Sequence, residues 1–200
     1  GSDVYVQNQT SDGDMYFRIN DGGATTTVIQ IDGATSTVGV RDITNLQANG
    51  VGNIGTASGY FNRVFATSTS ALYADVAERF AADAVYEAGT VVMLGGTEEI
   101  TLCNEAYSDD VFGVVSTNPA FLMNGGAGED DTHPAIAMAG RVPVKVTGAV
   151  NKGDRLVSAG DGVAQSALAE KVTAFNVIGR ALEDKTDSGV GTVEAIVKIN

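Results

Sequence analysis

The feature that most constrains this chain is its series of short apolar runs, each closed by a turn that contains glycine. Of the 200 residues, 25 are glycine and only 3 are proline, so turns are frequent and rigid linkers are not. Short runs rich in Val, Ile and Thr between such turns predict β-strands, because helices need longer periodic segments. Asn20-Asp21-Gly22-Gly23 is a strong hairpin signal, since these residues tolerate left-handed backbone. The pattern predicts an all-β fold.

The first fifty residues carry too few large apolar side chains to build a core of their own. Alternation along the first strong run places Met15, Phe17 and Ile19 on one face of a strand. Tyr16 and Arg18 fall on the other face. Identical copies would cover the apolar face, so we expect an intertwined oligomer of this chain.

Residues 53–86 combine aromatic side chains with Gly, Ser and Thr, which indicates a packed joint. The apolar positions of Tyr60–Ala66 have helical spacing, but the β-branched and aromatic content favours a strand. Leu72–Phe80 fits one helix face and strand alternation about equally well, so both assignments stay open. Four large apolar residues of this joint are predicted to lie at the subunit interface: Phe61, Val64, Phe65 and Leu72.

From residue 87 onward the pattern is more regular and predicts one compact domain, a β-barrel or a β-sandwich. A hairpin is expected where Thr90–Leu94 meets Ile100–Cys103 across the Gly95-Gly96 turn. Valines alternate with polar residues from 142 to 146, which predicts a half-buried antiparallel strand. The predicted division is an N-terminal segment of short strands, a joint and a C-terminal β domain, at residues 1–52, 53–86 and 87–200.

The charge balance limits the classes of partner. The chain has 25 acidic and 12 basic residues and a net charge of −13, whereas nucleic-acid binding needs clustered Lys and Arg. No apolar run approaches the roughly 18 residues of a membrane span, so no membrane insertion is expected. The single cysteine, Cys103, excludes an internal disulfide, and its apolar neighbours favour a buried thiol. Gly1-Ser2 is typical of a scar left by tag cleavage, so we expect a fragment of a longer protein.

The sequence contains no motif that predicts catalysis, a metal site or a cofactor. The only histidine, His133, lacks a partner motif such as Gly-x-Ser-x-Gly, and the acidic triplet Glu129–Asp131 lacks EF-hand spacing. Asn118–Met123 fits either a binding rim or core, and core is favoured. We interpret Asp75 and Glu78 as solvent-facing, or as partners of Arg63 and Arg79 across the subunit joint. We therefore expect a protein that is not an enzyme.

Several segments resemble bacteriophage tail fibres. Those that resemble shaft repeats are Met15–Gly23, Val28–Gly33 and Val38–Val40. Asn53-Ile54-Gly55 followed by Tyr60–Ala66 resembles the motif that closes such shafts. The segments that resemble a C-terminal domain of fibres from marine tailed phages are Ala71–Phe80, Tyr86–Val92, Gly113–Pro119, Ala139–Val146 and Val150–Leu156.

The resemblance implies a parallel homotrimer in the tail fibre of a virion, facing the host and attaching to a surface glycan or surface protein. It also implies that residues 1–52 are the end of a trimeric fibrous β shaft, followed by the compact C-terminal β domain. Other tail proteins would contact the part of the protein that precedes this chain. One alternative is a self-cleaving trimerisation domain that acts as an intramolecular chaperone. Asp75–Glu78 is the local segment that resembles such domains. A glycan depolymerase is a second alternative, which the absence of Trp disfavours, and a purely structural cap is a third.

Recognition is predicted in two loops of the C-terminal domain, Tyr107–Asp110 and Asn118–His133. These loops combine aromatic residues with carboxylates and flexible glycines, a composition that suits adhesion on a rigid scaffold. The predicted receptor-binding residues are Tyr107, Asp109, Phe121, Asp131 and His133.

Overall fold

Strands and turns alternate along the chain as the glycine pattern predicts. The computed structural model describes residues 3–44, 46, 53–56, 58–66 and 70–198. Every regular element among them is a β-strand except one short 3-10 turn, Ala169–Lys171, so the all-β prediction is confirmed. The chain divides into two units, Gly1–Ala66 and Thr67–Asn200, at a point inside the predicted joint. Gly1 and Ser2, the predicted tag scar, lie outside the described residues.

The first unit contains a three-stranded antiparallel sheet in the order β1-β2-β3. Its strands are Met15–Asp21 (β1), Ala24–Asp32 (β2) and Thr37–Val40 (β3). The predicted hairpin turn joins β1 to β2, and its two glycines have φ angles of +61° and +94°, which favour glycine. The hairpin prediction is therefore confirmed.

One face of this sheet is apolar, and the other is polar. The guanidinium carbon of Arg18 lies 4.6 Å from the centroid of the Tyr16 ring, which confirms that these two side chains share a face. The cross-strand rows of the apolar face are Met15–Ile31–Val38 and Phe17–Ile29–Val40. Phe17 and Val38 remain 51% and 65% exposed, so no described residue covers this face.

The predicted strand at Tyr60–Ala66 is wrong, because the structure has no strand across these residues. A strand needs a neighbouring strand edge to pair its backbone groups, and none of the described residues supplies one here. Phe61, Val64 and Phe65 are 65%, 77% and 89% exposed in the single chain. Leu72 is also exposed, and the interface role of all four residues stays a prediction.

The second unit holds the remaining ten strands. Their bounds are Asp75–Arg79 (β4), Val91–Leu94 (β5), Ile100–Leu102 (β6), Val111–Ser116 (β7), Phe121–Met123 (β8), Ala135–Thr147 (β9), Arg155–Gly160 (β10), Val163–Ser166 (β11), Val177–Ala181 (β12) and Val190–Val197 (β13). β4 resolves the open assignment of Leu72–Phe80 in favour of a strand. The β5–β6 hairpin at Gly95-Gly96 is confirmed.

Five of these strands close into a barrel. The order β9-β13-β12-β10-β11 returns to β9 through a parallel contact between Ala164 and Val146. Val142, Val144 and Val146 of β9 are buried in the interior, as their alternation predicts, so the barrel prediction is confirmed. Cys103 belongs to the same core and is fully buried, with its Sγ 3.2 Å from the Ser158 hydroxyl oxygen.

Two predictions about burial in this unit are wrong. Asp75 is only 3% exposed rather than solvent-facing, because it shares the inner side of β4 with the buried Ala77. Phe121 of β8 is 61% exposed and Leu122 is 37% exposed, so this segment is not core. β8 pairs only with β4 among the described strands, which leaves its outer side without a covering layer.

The long strand β9 bends at Gly140, where its neighbours change. Its first part pairs with β4 and β7, and its second part pairs with β13. Gly140 has a φ of +107°, and a Cβ at this position would lie 2.2 Å from the carbonyl oxygen of Ala74. Glycine is therefore required both by the backbone angle and by the close approach of the chain that leads into β4.

Replacing Gly140 tests this close approach. We expect Gly140→Ala to lower the free energy of unfolding of the second unit by more than roughly 4 kcal/mol, because a methyl group would collide with backbone. Gly148→Ala is the matched control: its φ is +75°, but no described atom lies within 4 Å of its Cβ position. The control should cost only about 1–2 kcal/mol. Equal losses in urea titrations of the two variants would contradict the argument.

Candidate functional site

Tyr107 and Asp109 lie in the loop before β7 and are tied to the segment around the 3-10 turn. The Leu168 amide donates to the Tyr107 hydroxyl at 3.3 Å, and the Lys171 ammonium lies 5.0 Å from the centre of the Tyr107 ring. The Thr173 hydroxyl donates to Asp109 Oδ1 at 2.5 Å. These contacts give both side chains defined positions instead of a freely adaptable loop.

Asp131 and His133 lie in the loop after β8, which is anchored by Arg79 of β4. Arg79 Nη1 contacts Asp130 Oδ1 at 2.7 Å and donates to the His133 carbonyl oxygen at 2.6 Å. Arg79 is thus engaged within its own chain through Nη1, and its buried Nε has no partner among the described residues. Pairing of Arg79 with Asp75 or Glu78 across a subunit joint stays a prediction. The imidazole itself contacts the neighbouring Thr132 hydroxyl at 3.1 Å, and Asp131 is exposed.

The predicted receptor-binding residues do not form one continuous site. The first loop precedes β7 and the second follows it, so the two loops lie at opposite ends of this six-residue strand. A strand of this length spans roughly 17–20 Å. Phe121 lies on β8, on the side of the second loop. The structure therefore brings Tyr107 and Asp109 together and keeps them apart from Asp131 and His133.

A pocket with a mixed apolar and polar lining, which the sequence did not predict, includes Asp75 in its wall. It has a volume of about 300 Å³. Its lining residues are Leu72, Tyr73, Ala74, Asp75, Ser116, Thr117, Asn118, Arg141, Val142, Pro143 and Glu194. The Oδ2 atom of Asp75 is buried and has no hydrogen-bond partner among the described residues. A buried carboxylate oxygen without a donor costs free energy, and a ligand or partner with O–H or N–H groups would satisfy it.

A second cavity, the basic groove, lies on the outer face of the barrel and has a volume of about 470 Å³. Its lining residues are Arg155, Val172, Thr173, Ala174, Val177, Gly179, Arg180, Ile196 and Lys198. One cross-strand row supplies its centre, because Arg155 of β10 pairs with Arg180 of β12, which pairs with Ile196 of β13. On the far side of Ile196 the row continues to Arg141 of β9, which lines the Asp75 pocket.

The charges around this groove are fixed by local contacts. Arg180 donates from Nε and Nη2 to the Gly153 carbonyl oxygen at 3.0 and 2.7 Å, which orients its guanidinium. The Asn151 amide, then the Ser166 hydroxyl and the nearby Arg180, hold the pKa of Asp154 below its usual range. Asp154 therefore stays ionised at neutral pH, with its Oδ2 atom already engaged by Asn151 and Ser166.

The sequence patterns missed both cavities for identifiable reasons. Asp75 could have been assigned to the buried side of β4 only once the strand assignment was settled. Arg155 and Arg180 are 25 positions apart in sequence, and they become neighbours through the register of β10 with β12. The sequence signal for the groove was weak, because single arginines in separate strands are typical of ordinary solvent-facing positions.

Two features are absent from the residues that the structure describes. Within them, no group of three or more His, Cys, Asp or Glu side chains is arranged to hold a metal ion. No helix in the described ranges is long and apolar enough to cross a membrane.

Replacing Asp75 tests whether its carboxylate lacks a partner. We expect Asp75→Ala to raise the free energy of unfolding by about 1–2 kcal/mol, because it removes a buried oxygen that accepts no hydrogen bond. Glu78→Ala, which removes the same charge from the same strand, is the control and should change stability by less than about 0.5 kcal/mol. Thermal and urea unfolding measure both variants. A loss of stability in Asp75→Ala would mean that the assembled protein supplies a donor to this carboxylate.

Comparison with known proteins gives a likeness in architecture. No protein family model and no curated protein matches the chain. Among solved structures, the chain is similar to the crystal structure of the pre-mature bacteriophage phi29 gene product 12, with a TM-score of 0.49 and 16% sequence identity. The match covers 86% of this chain and 24% of that chain, so the chain spans only part of that protein's length.

Proposed function

We propose that this chain is the distal part of a bacteriophage tail fibre, that it assembles as a homotrimer, and that its second unit attaches the virion to the host surface. The role is binding, with no catalytic step. The observation that carries the proposal is the apolar face of the β1–β3 sheet, two complete cross-strand rows that the chain leaves exposed. Large exposed apolar faces mark interaction surfaces. The fibre motifs in the sequence supply the identity of the assembly.

Copies of the same chain are the occupants that best fit this face. A three-stranded sheet of this size cannot bury both of its sides alone, and parallel copies would bring equivalent apolar rows together along a common axis. The exposed aromatic residues at 60–65 follow the sheet in sequence and would extend the same interface. The second unit has its own closed barrel and core, so it can present loops and grooves on a rigid support.

The oligomeric state gives the first test of this proposal. We expect light scattering to give the mass of a trimer at micromolar concentration. Val38→Asp should abolish the trimer, because it places a charge within an apolar row. Gly39→Asp introduces the same charge one position away on the opposite face of β3, across from the neutral Gln30 and with no described atom within 4 Å of its Cβ position, so it should leave the trimer intact. A monomeric wild-type protein, or equal effects of the two variants, would contradict the proposed assembly.

Host adsorption gives the second test. We expect the purified trimer to compete with virions for adsorption to susceptible cells, and the Val38→Asp variant to compete much less, because three linked sites gain affinity through multivalency. Free virions counted after a fixed adsorption time measure the competition. A trimer that binds no host cells and leaves adsorption unchanged would reduce this chain to a structural cap.

A further inference from the structure

We propose that the basic groove lined by Arg155, Arg180 and Lys198 binds an acidic polysaccharide, with sugar carboxylate or phosphate groups on the cations and the sugar rings on the apolar floor. This inference rests on the proposed function and names the class of receptor for it. Its support comes from the outer face of β10, β12 and β13, away from the loops in which the sequence predicted recognition.

The first observation is an unfavourable pairing that the fold retains. Arg155 and Arg180 are directly opposite each other in an antiparallel pair, which separates their Cα atoms by about 5 Å. Like charges at this position destabilise a sheet. Neither arginine, nor Lys198, forms an ion pair with any described acidic residue. Arg180 is partly compensated by the Gly153 carbonyl and by the nearby Asp154, whereas the Arg155 side chain has no hydrogen bond or ion pair within the described residues. A charge that costs stability and lacks such compensation is typical of a binding site.

The second observation is the contrast between this groove and the rest of the molecule. The whole chain has a net charge of −13 and only 12 basic residues, yet three of those cations line one cavity. No acidic residue lines it. The carboxylates beside the groove are engaged within the chain: Asp109 Oδ1 accepts from the hydroxyl of the lining residue Thr173, and Asp154 Oδ2 accepts from Asn151 and Ser166. The groove is therefore a local positive field in an acidic protein, and it is complementary to an anionic ligand.

The third observation concerns shape and donor geometry. A volume of about 470 Å³ falls in the range of sites for small ligands, and its floor includes Val177 and the half-exposed Ile196. Because Arg180 uses Nε and Nη2 on the Gly153 carbonyl, its Nη1 side remains available to an oxyanion in a fixed orientation. Guanidinium groups bind carboxylate and phosphate with paired hydrogen bonds. The apolar floor suits the C–H face of a sugar ring, a contact that a free inorganic anion would not make.

The row of side chains indicates an extended ligand and not a single sugar. Beyond Ile196 the same row reaches Arg141, at the edge of the Asp75 pocket. Four neighbouring strands thus present Arg155, Arg180, Ile196 and Arg141 on one surface, at intervals of about 4.8 Å. A chain of sugars lying across the strands would meet a cation, then an apolar side chain, then another cation.

Calorimetric titration of the intact protein with oligogalacturonate tests the inference, with a neutral maltooligosaccharide of equal length as comparison. We expect the acidic oligosaccharide to bind and the neutral one not to bind. Arg155→Gln should weaken binding about tenfold, the equivalent of one charge-assisted contact. Lys152→Gln changes the net charge equally, three residues away and outside the groove, so its affinity should stay within about twofold. A phosphorylated dextran that binds more tightly than oligogalacturonate would assign phosphate as the favoured anion.

Arg155→Gln also provides a check that does not depend on ligand. Its side chain has no hydrogen bond within the described residues, and its removal relieves the like-charge pair, so the ligand-free melting temperature should hold or rise. A folded Arg155→Gln protein that binds as well as wild type would overturn the inference, as would equal weakening by Lys152→Gln. If Arg155→Gln instead changes the mass in light scattering and leaves titration unaltered, the groove is a contact between copies of this chain and the inference fails.

Host adsorption separates this inference from the function on which it rests. Suppose that the wild-type protein competes with virions and that a double variant, Arg155→Gln with Lys198→Gln, competes equally well. This result would contradict the groove as the receptor site and would still support attachment by this chain. If the wild-type protein binds oligogalacturonate through Arg155 but does not compete with virions, the groove is a polysaccharide site and the proposed role in host attachment is contradicted.

Discussion

The fold of the second unit depends on one strand that changes neighbours halfway along. β9 supplies backbone hydrogen bonds to β4 and β7 along its first part and to β13 along its second, and it also closes the barrel against β11. The change occurs at Gly140, where the chain leading into β4 approaches too closely for any side chain. This contact sets the positions of Asp75, paired with Gly140, and of Arg141, the next residue. The geometry of the Asp75 pocket therefore depends on this contact, because both residues line that pocket.

Sequence patterns predicted those parts of the fold that turn residues and strand alternation determine locally, without contacts from distant segments. The glycine turns at 22–23 and 95–96 fix hairpins because few other residues adopt their backbone angles. The alternating valines of β9 identify a strand with one buried face. Tyr60–Ala66 has equally strong β-forming residues, yet it forms no strand in the structure. Propensity is insufficient there because a strand exists only beside a partner edge.

The binding residues were harder to predict because their neighbourhood is created by register. Loop composition identified two exposed loops, and both exist, but β7 separates them by its whole length. The arginine row, in contrast, has no signature along the chain, since each arginine sits alone in its strand. A shift of one residue between β10 and β12 would move Arg155 or Arg180 to the opposite face and destroy the row. Only the observed pairing shows that the two charges meet.

The overall charge and the groove act over different distances, and together they favour a particular kind of attachment. Repulsion between an acidic protein and an anionic surface is screened beyond about 8 Å at physiological ionic strength. Within that distance the guanidinium groups of the groove meet the ligand before the distant carboxylates can oppose it. Contact in one groove would be weak because few cations take part. In the proposed trimer three equivalent grooves would engage a polymer of repeating acidic sugars together, and adhesion would become strong only when the polymer is long enough to reach more than one.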